Sequence, residues 1–241
     1  MTFLSALRSH LTAAVYDPFL ALGERRSMAD HRRALLAGAA GRVLEIGAGT
    51  GANLTAYPAD LDALVLTEPE VGMAHRLKRH VARHRPDAQV LRVGAEELPF
   101  PAGTFDVVVS TMVLCTVPDP AVAIAEVRRV LRPGGRFLYL EHVRAEETRL
   151  ARWQDRLAGA WRTVAAGCRC DQRTLDLLGA AFILEPPARA TWRGMPSIVH
   201  PLVSGAAVVP VLPGVTAPRT ADVHRPAQGP TGLAAVSARV R

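Results

Sequence analysis

Five short apolar runs, each followed by a stretch of helical periodicity, constrain this chain more than any other feature. They are RVLEIG (42–47), ALVLTE (63–68), AQVLRV (88–93), FDVVVS (105–110) and GRFLYLEH (135–142), bounded by Gly, Pro and Asp. Several are apolar on successive residues, the pattern of strands covered on both faces of a parallel sheet. Parallel strands need crossover connections, which the helical stretches supply. The clearest begins at Asp119-Pro120, an N-cap followed by proline at the first helical position. Its expected buried positions are Val122, Ile124, Val127 and Val130, and it stops before the turn Arg132-Pro133-Gly134-Gly135. Further helices are expected around 147–165 and 171–180, and the apolar runs 181–190 and 198–209 are placed to pair antiparallel. The predicted fold is α/β: a Rossmann-like, doubly wound, seven-stranded sheet with an antiparallel last strand.

The flanks read differently. Leu4, Leu7, Leu11 and Ala14 keep a three-to-four spacing, and Asp17-Pro18 resets the chain before a second helix to about Ala40. The chain thus divides into a helical N-terminal lid (1–40), an α/β domain (41–210) and a tail (211–241) without periodicity that reads as disordered. At 241 residues and 49% apolar it buries the core of one domain, which excludes disorder as the whole answer. Three cysteines, Cys115, Cys168 and Cys170, are too few and odd in number for a disulfide framework. The N-terminus lacks the pattern of a secretion signal, and the weakly charged stretch 198–215 is broken by Pro201, Pro210 and Pro213. The expected compartment is therefore the cytoplasm, with no transmembrane segment and peripheral membrane contact left open. A net charge of +7 raises a nucleic-acid hypothesis, and HRLKRHVARHR (75–85) is the densest basic run. It carries no interleaved aromatics, which favours a solvated outer helix over a nucleic-acid patch. Nothing in the sequence speaks to oligomeric state.

The residues that carry chemistry begin at the end of the first strand. Glu45-Ile46-Gly47-Ala48-Gly49-Thr50-Gly51 is expected to open a helix, with glycines that let the backbone turn tightly and approach a ligand. The third glycine comes one residue too early for the dinucleotide spacing G-x-G-x-x-G, and an acid precedes the loop. A carboxylate there suits a cationic amino group. The second strand ends in Thr67-Glu68-Pro69, and Glu68, 17 residues after Gly51, is placed to accept both hydroxyl protons of a ribose. Loop and acid together describe a nucleoside carrying an amino acid, S-adenosylmethionine.

On these residues the chain resembles the class I methyltransferases over about residues 10–209. The resemblance rests on LEIGAGTG (44–51), Glu68, GAEELPF (94–100), FDVVVSTMVLCTV (105–117) and EVRRVLRPGGRF (126–137). It implies S-adenosylmethionine as cofactor, with Glu45 toward the methionyl amino end and Gly47, Ala48, Gly49, Thr50 and Gly51 along the methionyl and adenosine parts. Glu68 and Pro69 then lie at the ribose, and Ser110 and Thr111 at the end of the fourth strand. Family members often carry Asp where this chain has Gly94, which leaves Ala95 backbone groups or Glu96 to meet the adenine. Thr111–Val117, Glu141-His142-Val143, Trp153 and Trp161, Gly167-Cys168 and Arg173-Thr174 look like the thiol-methylating branch. Animal members of that branch carry an N-terminal membrane anchor, which is not read here. That likeness implies a small apolar thiol as acceptor. Methylation of oxygen or carbon on a quinol, phenol or lipid-like metabolite stays open, as does a non-catalytic cofactor-binding or RNA-associated protein.

Several residues carry two readings. His142 ends the fifth strand at the carboxyl edge of the sheet, as general base, as pocket wall, or as a histidine bonded to the next helix. Cys115 and Tyr16 are expected to line the acceptor pocket, Cys115 as a small hydrophobe and Tyr16 from the lid. One Cys168-x-Cys170 pair is a weak zinc motif even with Cys115 and His142 to join it, so no metal site is assigned. Trp153 and Trp161, eight apart, are expected on one helix face as packing residues. Ser110–Leu114 stands where amide- and base-methylating relatives carry D/N-P-P-Y/F, which favours a small acceptor in an apolar pocket.

Overall fold

Apolar runs that bury both faces become strands in the middle of the molecule. In the computed structural model, which describes residues 23–211 except 166, these are β1 (Arg42–Ile46), β2 (Ala63–Thr67), β3 (Gln89–Leu91), β4 (Phe105–Thr111) and β5 (Leu131–His142). All are parallel, in the order β3-β2-β1-β4-β5. Beyond them β8 (Pro201–Val208) pairs antiparallel with β5. The outer edge is one strand in two pieces, β6 (Ile183–Leu184) and β7 (Ala188–Thr191), both paired with β8. Glu185-Pro186-Pro187 separates them, because proline has no N–H to give to a ladder. The seven predicted strand positions are therefore filled by eight strands, and the last in the chain is the antiparallel one.

The helices are α1 (Ala29–Leu36), entered through a π-helical turn at Glu24–Met28, then α2 (Val71–His84), α3 (Pro120–Val130), α4 (Thr148–Val164) and α5 (Thr174–Ala181). Neighbouring residues of one strand feed opposite cores. Leu44 and Val108 pack with Ile124, Val127 and Leu178 of α3 and α5, whereas Val43, Val107 and Val109 pack with Leu36, Leu77 and Val81 of α1 and α2. Each such side chain contributes about 1.5–3 kcal/mol when fully buried, so helices are pinned to both faces. None among the described residues is long and apolar enough to cross a membrane.

The α3 cap forms as expected: the Asp119 carboxylate accepts from the Ala121 and Val122 amides at 2.9 and 3.2 Å. Its buried stripe is Ala123, Ile124, Val127 and Val130, which corrects the assignment of Val122, 44% exposed. The basic run lies on α2 with Leu77 and Val81 buried. Trp153 and Trp161 do not share a face. Eight residues exceed two turns by about 80°, so Trp153 is 48% exposed beneath Arg156 while Trp161 turns toward the carboxyl edge of the sheet. The expected first helix, Tyr16 and all of the tail past Val211 lie outside the described residues.

Candidate cofactor and acceptor site

The loop after β1 makes successive i→i+3 turns where a helix was expected. Gly51 N donates to Ala48 O (3.0 Å), Leu54 N to Gly51 O (3.2 Å) and Ala56 N to Asn53 O (2.9 Å). The three glycines divide their work. A Cβ on Gly47, at φ 57°, would sit 2.8 Å from two Val113 methyls, and one on Gly51 would strike Leu54 and Leu77. A Cβ on Gly49, at φ 58°, would meet nothing within 4 Å among the described residues. Gly47 and Gly51 are thus needed for packing, and Gly49 alone presents bare backbone to open space.

Glu68 stands beside that opening. Its Oε2 accepts from Gly49 N and its Oε1 from Glu70 N, both at 2.9 Å, and burial pushes its pKa above the ordinary glutamate range. Each oxygen keeps a lone pair for a further donor. A carboxylate with spare acceptor capacity next to exposed loop backbone fits the ribose of S-adenosylmethionine. Ala48 and Thr50 are buried in the same loop, while Pro69 is exposed after β2. Ala95 is buried, and Glu96 folds back toward Gly94, its other oxygen accepting from Asp119 N at 3.5 Å.

Glu45 is engaged within the protein. Oε1 accepts from Asn53 Nδ2 (2.8 Å) and Oε2 from the Tyr57 hydroxyl (2.7 Å), and burial raises its pKa. Asn53 in turn accepts from Arg32 Nη1 at 2.9 Å, and Thr111 Oγ1 accepts from both Arg32 and Asn53 at 2.8 and 3.0 Å. Arg32 also pairs with Glu24 at 3.0 Å, so one buried guanidinium ties α1 to the ends of β1 and β4. Sequence reasoning missed Arg32, because Arg32 and Arg33 are adjacent and only the fold turns one inward. Asn53 and Tyr57 carried a faint signal as polar residues in register behind the loop.

Ser110 is fully buried, and its hydroxyl donates to Glu141 Oε1 (2.7 Å). The same oxygen accepts from Val113 N and Leu114 N at 3.1 and 3.2 Å. To deliver those amides the chain turns at Met112 with φ 62°, a left-handed conformation that costs a non-glycine residue about 1–2 kcal/mol. This turn carries Cys115 inward.

There Cys115 meets His142 and Cys168, all three buried. His142 Nε2 lies 2.8 Å from Cys168 Sγ, Trp161 Nε1 donates to the same sulfur at 3.3 Å, and the His142 ring stacks on Trp192. The Cys115 thiol is pushed up by its contact with Cys168 and by burial, and Cys168 is lowered to about 5, chiefly by the hydrogen bond from Cys115, with burial opposing and His142 adding to the lowering. The cysteines are free, and Cys170 points elsewhere, into the cluster of Met28, Trp192 and Val199. Cys168 was noted in the sequence only as part of weak patterns, because it lies 53 residues from Cys115.

Residues 44–139 match the family described as methyltransferase domain. The human thiol S-methyltransferase TMT1B is 37% identical over 154 residues, 61% of this chain and 63% of the human protein, so the chain spans less than two thirds of that relative. The mouse thiol S-methyltransferase TMT1B is 34% identical over 185 residues, 72% of this chain and 73% of its own length. The N-methyltransferase NodS from Bradyrhizobium japonicum WM9, solved in complex with S-adenosyl-L-homocysteine, shares the fold at TM-score 0.58 and 18% identity over 78% of this chain and 87% of its own. The chain belongs to the class I S-adenosylmethionine-dependent methyltransferases.

Proposed function

We propose that this protein transfers a methyl group from S-adenosylmethionine to the sulfur of a small, apolar thiol. The observation that carries the cofactor half is the open side of Gly49 beside the Glu68 carboxylate. Bound S-adenosylmethionine supplies a methyl group made electrophilic by its sulfonium. Glu68 holds the ribose hydroxyls, and residues 94–96 lie along the adenine. Glu45 acts by fixing Asn53 and Tyr57, which shape the methionyl end. Residues 1–40 serve as the lid, with α1 anchored through Arg32.

The acceptor half is supported by relatives that are thiol S-methyltransferases and by the buried cluster of two sulfurs and an imidazole at the ends of β4 and β5. The acceptor sulfur forms its bond to the methyl carbon as the carbon–sulfonium bond breaks, and the acceptor gives up its thiol proton. The protein aligns the sulfur and excludes water. His142, Cys115 and Cys168 are the groups at hand to take that proton or hold that sulfur. The test is an assay with labelled cofactor offered thiophenol, a quinol and a phenol. Transfer to thiophenol with release of S-adenosylhomocysteine is the expected result. Transfer only to the oxygen acceptors overturns the thiol half, and salt-sensitive RNA retention without turnover overturns both.

A further inference from the structure

Methyl transfer from a sulfonium does not by itself call for two protein thiols and an imidazole at one point, yet three separate segments bring them there. Cys115 Sγ, Cys168 Sγ and a His142 ring nitrogen all lie within 4.8 Å of one another. Tetrahedral zinc, with bonds of about 2.3 Å to sulfur and 2.0–2.1 Å to nitrogen, sets such atoms about 3.5–3.8 Å apart. A shift of roughly 1 Å or less brings the set into that geometry. We propose that Cys115, Cys168 and His142 bind one zinc ion and that the acceptor's thiol takes its fourth position; the second clause rests on the thiol-methylation reading above.

The segments that carry these ligands are tied together by hydrogen bonds. Arg169 N donates to Cys115 O at 2.8 Å, and the Arg169 guanidinium donates to Val117 O, joining the two cysteine-bearing loops. His142 is held at the end of the ladder opposite Leu202. The Trp161 bond to Cys168 Sγ is the kind of outer contact that orients a metal thiolate. Beside the cluster lie buried polar atoms with no partner among the described residues, His142 Nδ1 and Glu141 Oε2. Sulfur and nitrogen ligand atoms gathered out of water, beside polar atoms without partners, are the setting a bound cation would complete.

The ligand count points to a working site. Among the described residues the group has three members, and Cys170 faces another cluster. Three protein ligands with an open fourth position is the arrangement of catalytic zinc, whereas structural zinc is closed by four. An acceptor thiol entering there loses its proton to water as its sulfur displaces a bound water and forms the zinc–sulfur bond. It is then a thiolate at neutral pH, where a free thiol is only a few per cent ionised. Val113, two residues before Cys115, packs on Gly47, so this loop borders the cofactor cradle.

The experiment uses the full chain, kept reduced, stripped of metal by chelator dialysis, and titrated with Zn²⁺ and separately with Co²⁺. One equivalent per chain is expected, the cobalt form showing thiolate-to-metal charge-transfer and intense tetrahedral visible bands that change when thiophenol is added. Cys115→Ser, Cys168→Ser and His142→Ala should each weaken binding by more than about tenfold, while Cys170→Ser leaves it unchanged. Absence of stoichiometric uptake by the unsubstituted protein overturns the site whether or not any variant folds. So does a cobalt spectrum that survives both Cys115→Ser and Cys168→Ser. Metal-free protein that methylates an alkyl thiol of pKa about 8.5 at full rate at pH 7 sinks the zinc site and leaves thiol transfer standing. One bound zinc with no thiol turnover, and a cobalt spectrum indifferent to thiophenol, removes the thiol from the ion along with the thiol reading.

Discussion

Around the glycine loop, both oxygens of Glu45 and both of Glu68 accept hydrogen bonds, and Asn53 donates to two partners while accepting from Arg32. Around His142 the accounting differs: His142 Nδ1, Glu141 Oε2 and Trp192 Nε1 are buried with no partner among the described residues. The two regions share one edge of one sheet. A closed network holds its shape alone and needs only an open side, here at Gly49, to receive a ligand. An open network carries an unmet cost of about 1–3 kcal/mol per orphaned group, which a bound species would relieve. The proposed cofactor side is closed by the protein's own hydrogen bonds, and the proposed acceptor side leaves polar atoms that a bound species would meet.

The sharpest way to break that comparison is a pair of glycine substitutions. Gly47→Ala meets both a left-handed backbone and Val113, a loss of roughly 2–5 kcal/mol of stability in urea unfolding. Gly49→Ala shares the backbone cost of about 1–2 kcal/mol but meets no neighbour, so its further damage should appear in cofactor affinity. Equal stability losses would show that the two glycines do not divide their work. Next in size, Glu68→Ala should weaken cofactor binding by about 1.5–3 kcal/mol, and calorimetric titration of the folded variant with unchanged affinity would remove Glu68 from the ribose.

On the acceptor side, His142→Gln should slow transfer to an alkyl thiol of pKa about 8.5 by about tenfold at pH 7 and far less at pH 9, where that thiol ionises unaided. A loss equal at both pH values would mean that His142 only shapes the pocket. The smallest effect belongs to Glu45. Burial raises its pKa in the folded state, so its contribution to stability is greatest at acid pH and fades as pH rises through the folded value. Glu45→Gln should therefore flatten the stability curve above the ordinary glutamate pKa. A wild-type-like slope in thermal melts across pH 4–8 would show that the carboxylate is not strained by burial.

Legibility in the sequence followed the range of the contacts. The five parallel strands, the Asp119 cap and the glycine loop are short-range patterns and were readable residue by residue. The turns after Gly49 were not, because a helix and a chain of i→i+3 bonds draw on the same apolar spacing. Val122 and Trp153 were misplaced for a related reason: periodicity gives a stripe, and only packing against a particular neighbour sets its phase. Arg32 and the meeting of Cys115, His142 and Cys168 depend on segments far apart in the chain. No local pattern encodes them.

The placement of β8 has a consequence for how the chain comes into being. β6 and β7 pair with β8 alone, and β8 also covers the free edge of β5. During synthesis, every residue up to His200 emerges before any of these three ladders has its second partner. A nascent chain at that stage holds a long apolar edge on β5 and two orphan strands, the kind of exposed pairing surface that invites association with other chains. The arrival of Pro201–Val208 closes all three at once and seats His142 opposite Leu202, so maturation of the acceptor end is the final step of sheet assembly. Arrest or truncation just before Pro201 is expected to yield aggregates rather than a partly working domain, visible as loss of soluble monomer in sedimentation.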